Sequence, residues 1–386
     1  MSANGITDRL FAGGQGPRPE RPFVVGILAG EGIGPEVVGV CLRLLAVMEE
    51  RSDCRFEFRH GGKIGLEAQR ETGLVLSREV LGFCEDVFAD GGAILSGPGG
   101  GRFVYELRLA FDLFCKLAPL KPTPALRDTG VLVPAAVRDV DILVVRENTG
   151  GLYQGESGTE VIDGRACAWH RFHYDEGQVD RLLRVAIRAA TLRRGRLCVV
   201  AKPAGVPEIS DLWSSRAVAL ARDAGVDLRI LEVDNACYQL VADARQFDVV
   251  AAPNMFGDVL ADGAGVLLGS RGMCYSANFS QRGHAVYQTG HGAAYDLAGT
   301  DRANPAGQVY SVAMMLRESL GRGDLADALL GAVDDTFAAG WRTPDVLAPG
   351  CKPVGTRELA ERIAAALAAR LEGGMERDPA QAVAGE

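Results

Sequence analysis

Apolar residues in this chain alternate between two patterns. FVVGILA (23–29), VDILVVREN (140–148), RLCVVAK (196–202), VDLRILEVD (226–234) and FDVVAAPN (247–254) are near-continuous apolar runs bounded by polar or turn residues, and they predict strands. Between them, GPEVVGVCLRLLAVMEE (34–50), VDRLLRVAIRAATLRR (179–194) and EISDLWSSRAVALARDAG (208–225) repeat apolar residues every three or four positions, and they predict amphipathic helices. Strands apolar on both faces, alternating with helices, imply an α/β chain whose sheet is of the parallel type and covered on both sides. Residues 155–177 break the pattern. They alternate like a hairpin and suggest a protruding arm. Residues 1–20 and 373–386 are polar and rich in Gly, Pro or Ala, and read as loose ends.

Composition narrows the function. A net charge of −9 argues against a nucleic-acid partner, which requires a basic face. No apolar run reaches the ~18 residues of a membrane span, and the first 22 residues lack the apolar centre of a signal peptide, so a cytoplasmic protein is expected. The nine cysteines include no C-x-x-C pair, so buried thiols are expected rather than disulfides. His170 and His173 have no further ligand nearby in sequence to make a zinc site.

Several strand ends carry chemistry. GEGIGPEVV (30–38) follows the first strand but is not a dinucleotide fingerprint, because Pro35 stands where the third glycine belongs. It reads equally as a tight turn into a helix, with Pro35 and Glu36 in the first turn. Asp258 and Asp262 lie four apart where a strand gives way to a helix, so both carboxylates share one helical face. Like charges at that spacing repel unless neutralised, and a hard divalent cation such as Mg²⁺ or Mn²⁺ would do so. Two solvated acids on an exposed helix have the same spacing. Arg146 ends a strand and Tyr153 follows: an arginine there suits bidentate carboxylate recognition, and a tyrosine can donate a proton. Lys202 ends another strand, where partial burial would lower its pKa and suit it to act as a base, although a surface lysine is the simpler alternative. Asp234 is a further strand-end acid.

GEGIGPEV, VYELRLAFDLF, VVRENTGGLY, PNMFGDVLAD and TGHGAAYDLAGTDRANPAG occur in that order. Together they resemble the isocitrate and 3-isopropylmalate dehydrogenase family, the metal-dependent β-decarboxylating dehydrogenases, over roughly residues 23–370. The resemblance implies a two-domain isopropylmalate dehydrogenase-like α/β fold with a central mixed sheet flanked by helices, not a standard Rossmann fold. One discontinuous domain, 21–113 plus 270–372, would bind the cofactor. The other, 114–269, would carry the dimer interface, the substrate residues and the arm. The resemblance also implies a homodimer with shared active sites, beside the expectation from charge and hydropathy of no nucleic acid and no membrane. Asp258 and Asp262 would hold Mg²⁺ or Mn²⁺ with the partner's Asp234; Lys202, also from the partner, would take the hydroxyl proton. Tyr153 would protonate the enolate, and Arg108 and Arg146 would clamp the substrate carboxylates. His291, Gly292, Ala293, Asp296 and Asn304 would form the cofactor loop. Asp296 would favour NAD, since an acid there repels a 2′-phosphate.

The sequence also departs from that family. Its members usually carry a second arginine at the position of Ala118; Lys116, Lys121 and Arg102 are candidates to replace it. The loop before Arg108 is short, with Val104 and Tyr105 where relatives read the substituent on the substrate's third carbon. Ala204 replaces an asparagine that helps position the nicotinamide. The expected activity is therefore NAD- and metal-dependent oxidative decarboxylation of a 3-substituted malate with a specialised substituent. Non-decarboxylating oxidation of a tartrate-like hydroxy acid, or a non-catalytic regulatory paralogue, are the alternatives.

Overall fold

In chain order the main strands are β1 (Phe23–Leu28), β2 (Phe56–His60), β3 (Ala93–Ser96), β4 (Cys115–Leu120), β5 (Ile142–Glu147), β6 (Glu156–Ile162), β7 (Arg165–Arg171), β8 (Arg196–Ala201), β9 (Asp227–Glu232), β10 (Val249–Ala252), β11 (Tyr275–Phe279) and β12 (Ala285–Thr289). These elements come from a computed structural model that describes Leu10 and residues 21–375. The remaining terminal residues, including most of both predicted loose ends, lie outside the described part. The chain forms two units. Of the described residues, one comprises Leu10, 102–122 and 130–285; the other comprises 21–101, 123–129 and 286–375.

In the first unit the strand order is β11-β4-β5-β10-β8-β9. β5, β10, β8 and β9 are mutually parallel, whereas β4 runs antiparallel to both β5 and β11. The sheet is thus mixed rather than purely parallel. Apolar runs buried on both faces look alike in either direction, so strand polarity was not legible in the pattern. β5 and β10 are wholly buried. Helices Glu176–Leu192 and Pro207–Ala224 pack on each other and on this sheet. The first begins in a capping box: Asp175 accepts from the Gln178 amide at 2.8 Å, and the Gln178 side chain accepts from the Asp175 amide at 3.1 Å. It buries Val179, Leu182, Leu183, Ala186 and Ala190 at helical spacing.

Residues 155–177 hold the antiparallel hairpin β6–β7, whose strands are joined by Asp163 and Gly164. Both turn residues have positive φ (51° and 75°), as a two-residue primed turn requires. Nearly every hairpin side chain is exposed.

In the second unit β2-β1-β3-β12 are all parallel. Its helices Gly34–Arg51, Ala306–Glu318, Gly323–Ala338 and Thr356–Met375 pack on one another in sequence neighbours and as a group. Among the described residues, no helix is long and apolar enough to cross a membrane.

Candidate active site

Parallel strands bring their carboxyl ends to one edge of a sheet, which is where α/β sheets collect ligand-binding groups. In the first unit that edge carries Arg146 and Glu147 at the end of β5, Asn254 after β10, Lys202 after β8, Glu232 at the end of β9 and Asp234 just beyond it. Because β4 is antiparallel, its beginning reaches the same edge: Cys115 lies opposite Glu147 and Lys116 opposite Arg146.

Arg146 is 2% exposed and rigidly held. Its Nε and a terminal nitrogen donate to Asn254 Oδ1 at 3.1 and 2.8 Å, and its other terminal nitrogen pairs with Asp258. The guanidinium also lies 5.7 Å from the Tyr153 ring centre. The chain makes room for this side chain with glycine: a Cβ on Gly257 would sit 2.8 Å from Arg146 Cγ. A second buried network fixes Asn254. The Tyr174 hydroxyl accepts from the Asn254 amide at 2.9 Å, while Asn254 Nδ2 donates to the Gly150 carbonyl at 2.8 Å. Glu147 accepts from the Thr149 and Gly150 amides at 2.7 and 2.9 Å. Burial pushes the Glu147 carboxyl up despite those donors, and it pushes the Tyr174 phenol up as well, with Glu147 adding to the effect.

Tyr153 packs edge-on against Tyr105, ring centres 5.5 Å apart, and bonds Asp258. Burial, reinforced by Asp258, raises its pKa to about 12, so the phenol keeps its proton at neutral pH. Arg108 is buried over the Tyr105 ring at 5.6 Å, and its Nε has no partner. Burial lowers its pKa to about 9, with Arg146 contributing. Val104 is half-buried on the same helix, Phe103–Ala110.

Asp258 and Asp262 lie within helix Asn254–Ala264, one turn apart. Asp258 pairs with Arg146, and Asp262 pairs with Arg271 at 2.8 Å. Asp234 is apart from them on helix Val233–Ala242, bonded at 3.0 Å to Lys202, whose ammonium also meets Glu232 at 2.6 Å. The structure therefore brings Asp234 to Lys202 rather than to the other two aspartates. Among the described residues, no three His, Cys, Asp or Glu side chains are grouped to hold a metal. The Lys202 pKa is raised, the opposite of what burial would do, because Glu232 and Asp234 both bond the ammonium at an open position. Glu232 was not singled out in the sequence; its place at the end of the strand that pairs with the Lys202 strand was the available signal.

In the second unit, GEGIGPEVV is a structural turn built on another loop. The Ile33 amide donates to the Ala293 carbonyl at 2.9 Å. Gly32 has φ 59°, and a Cβ there would strike that same carbonyl, so only glycine fits. Glu31 is buried and accepts from the amides of Leu66, Glu67 and Gly100 at 3.1, 2.7 and 2.6 Å. It also bonds the Tyr295 hydroxyl, pushing that phenol up along with burial. Glu36 accepts from the Gly299 amide. The 291–299 loop thus rests on the first strand-turn-helix. His291 Nδ1 lies 2.9 Å from the Gly292 carbonyl, Ala293 is buried, and Asp296 is exposed. Asn304 bonds Asp345 at 3.1 Å and accepts from the Ala306 amide at 3.0 Å.

A mixed α/β sheet with cations, a tyrosine and carboxylates gathered at its strand ends defines an enzyme acting on a small anionic substrate. The chain belongs to the isocitrate/isopropylmalate dehydrogenase family, whose model matches residues 24–363. It is an oxidoreductase, a decarboxylating hydroxy acid dehydrogenase by class. It is 40% identical over 352 residues to the 3-isopropylmalate dehydrogenase of Synechococcus sp. (strain CC9605), an alignment spanning 88% of this chain and 98% of that protein. It is 39% identical over 355 residues to the 3-isopropylmalate dehydrogenase of Prochlorococcus marinus (strain MIT 9313), again spanning 88% of this chain and 98% of that protein. The fold is similar to that of the isocitrate dehydrogenase from Methylococcus capsulatus, with TM-score 0.79 and 26% identity over 90% of this chain and 99% of that one.

Proposed function

We propose that this enzyme couples NAD reduction to oxidative decarboxylation of a 3-substituted malate, with Mg²⁺ or Mn²⁺ bound. The observation that carries this reading is the cluster of Arg108, Arg146 and Tyr153: two buried guanidiniums beside a phenol that keeps its proton. Guanidiniums in a dry site orient a carboxylate bidentately. Arg108 and Arg146 would hold the malate carboxylates, with Val104 and Tyr105 against the substituent. Lys202 would take the hydroxyl proton as the alcohol is oxidised. Loss of CO₂ from the resulting β-keto acid leaves an enolate, and Tyr153 would return a proton to carbon.

The donor set fits a hard divalent cation in part. Asp258 and Asp262 offer carboxylate oxygens one helical turn apart, and completion would need the partner's Asp234. Such a cation, when bound, polarises the ketone. With Asp234 so engaged, Lys202 would keep only Glu232 as a close carboxylate. In the second unit, His291, Gly292, Ala293, Asp296 and Asn304 would receive the adenosine end of NAD, with the exposed Asp296 on the ribose hydroxyls. A homodimer accords with the exposed apolar side chains of the first unit, among them Val161, Trp169, Tyr238 and Val259. The enzyme is taken to work in the cytoplasm.

The test is a panel of 3-substituted malates with Mn²⁺, followed by NADH absorbance and CO₂ release. The expected outcome is one CO₂ per NADH for at least one substrate, with NAD preferred over NADP. Tartrate oxidised without CO₂ would favour the non-decarboxylating alternative. No turnover across the panel would overturn the assignment.

A further inference from the structure

The start of β4 holds a cation that the proposed mechanism leaves unused. Lys116 is 6% exposed, directly opposite Arg146 on β5 and Asn278 on β11. Register partners share a face of the sheet, so the lysine side chain stands on the side where Arg146 works. Ala118 is two residues along β4 and therefore on that face as well. No carboxylate reaches the Lys116 ammonium as an ion-pair partner among the described residues. Its charged neighbours are Arg146 and Arg108, which repel it, with Asp258 and Asp262 attracting it more weakly.

A buried cation beside two others is unfavourable unless something anionic joins them. Arg146 already directs three of its N–H groups to Asn254 and Asp258. Arg108 Nε has no partner. The alternatives for a third cation are placed differently. Lys121 sits at the far end of β4, exposed and paired with Asp141 at 3.3 Å. Arg102 is exposed and donates to the Tyr153 carbonyl at 3.1 Å.

We propose that Lys116 is a substrate ligand: with Arg108 it binds a carboxylate of the malate-type substrate, supplying from position 116 the charge absent at Ala118. This rests on the malate assignment above. An ammonium is a point charge with three freely rotating donors, so it replaces the attraction of a guanidinium without its planar fork.

The test uses the full-length protein as wild type, Lys116→Met, and the double variant Lys116→Met with Ala118→Arg. For the best malate in the panel, KM and kcat are measured, along with calorimetric binding of the same compound and melting temperature. Lys116→Met is expected to weaken binding and raise KM on the order of 10- to 100-fold, as loss of one charged hydrogen bond does. Its kcat should change much less, its melting temperature should not fall, and the added arginine should recover most of the affinity. Unchanged affinity in Lys116→Met, or a double variant as weak as the single, would overturn the proposal and make Lys116 structural. Wild type that binds a malate without turnover would overturn the decarboxylase assignment but leave Lys116 open to the binding measurement. Wild type that binds none would overturn both.

Discussion

A lysine packed against two arginines destabilises the empty protein at any pH where it is charged. Burial first, and then Arg146 and Arg108, bring the Lys116 pKa from the ordinary 10.5 to about 7. A folded-state pKa below the unfolded value means that between these two limits the unfolded chain binds more protons. Stability therefore rises with pH across the window from about 7 to 10 and is lost as pH falls back through it. Below the window the charged form is buried at full cost, about 5 kcal/mol for a shift of this size. Lys116→Met keeps the length of the side chain and removes the charge. It should stabilise the ligand-free protein most at pH 6, and the gain over wild type should shrink by pH 9. Urea unfolding at the two pH values checks this; a variant less stable than wild type at pH 6 would show that the ammonium is satisfied in the fold. Stability and substrate affinity should thus move in opposite directions at one residue, as is common where a site is built for an absent ligand.

At the scale of elements, single strands and turns decide where the chemistry falls. The antiparallel course of β4 puts Lys116 at the working edge and Lys121 at the other, although Lys121 directly follows the short strand that Lys116 helps to begin. Glu31 performs the comparable task in the second unit. Its carboxylate joins the start of helix Gly65–Thr72, the Gly100 loop and Tyr295 through three amide donors and a phenol. Amide bonds to a charged acceptor are roughly twice as strong as neutral ones. Glu31→Gln should cost about 1 to 3 kcal/mol by urea unfolding, because the amide group places a donor against N–H groups. It should also weaken NAD binding more than substrate binding, if the 291–299 loop holds the cofactor; equal effects on both would point to general loosening. What was legible beforehand follows from period and spacing. The i, i+4 aspartates do share helix Asn254–Ala264, and the apolar runs and helical stripes do form a mixed α/β fold flanked by helices. Strand direction left no trace in fully buried runs. Nor did the partners of Glu31, Glu147 and Asn254, since each bonds backbone groups whose positions exist only after folding. Lys202 was legible as a strand-end lysine, but its two carboxylates come from the neighbouring β9 edge, and they reverse the pKa shift expected of burial.

For the whole molecule, the central question is whether one chain completes a site. Within a single chain Lys202 bonds Glu232 and Asp234, while Tyr153 bonds Asp258, two clusters on different helix and strand ends. The dimer proposal places them in one site by lending Lys202 and Asp234 to the other subunit. That has a consequence separable from the effect of either mutation alone. Lys202→Ala and Tyr153→Phe should each leave little turnover, as loss of a proton acceptor or donor costs on the order of 100- to 10,000-fold. Co-expressed with different tags, the two variants form hybrid dimers. If Lys202 acts across the interface, one site of each hybrid pairs the intact Tyr153 of one subunit with the intact Lys202 of the other, and the second site carries both lesions. Random assembly makes about half the dimers hybrid, so roughly a quarter of wild-type activity should return in the mixture and about half in the purified hybrid. If both residues act within one chain, every site in the hybrid carries one lesion and nothing returns. Sedimentation of Val161→Asp, on the exposed hairpin, supplies the independent control. A shift toward monomer accompanied by loss of activity ties turnover to assembly, whereas a fully active monomer would show that the chain needs no partner.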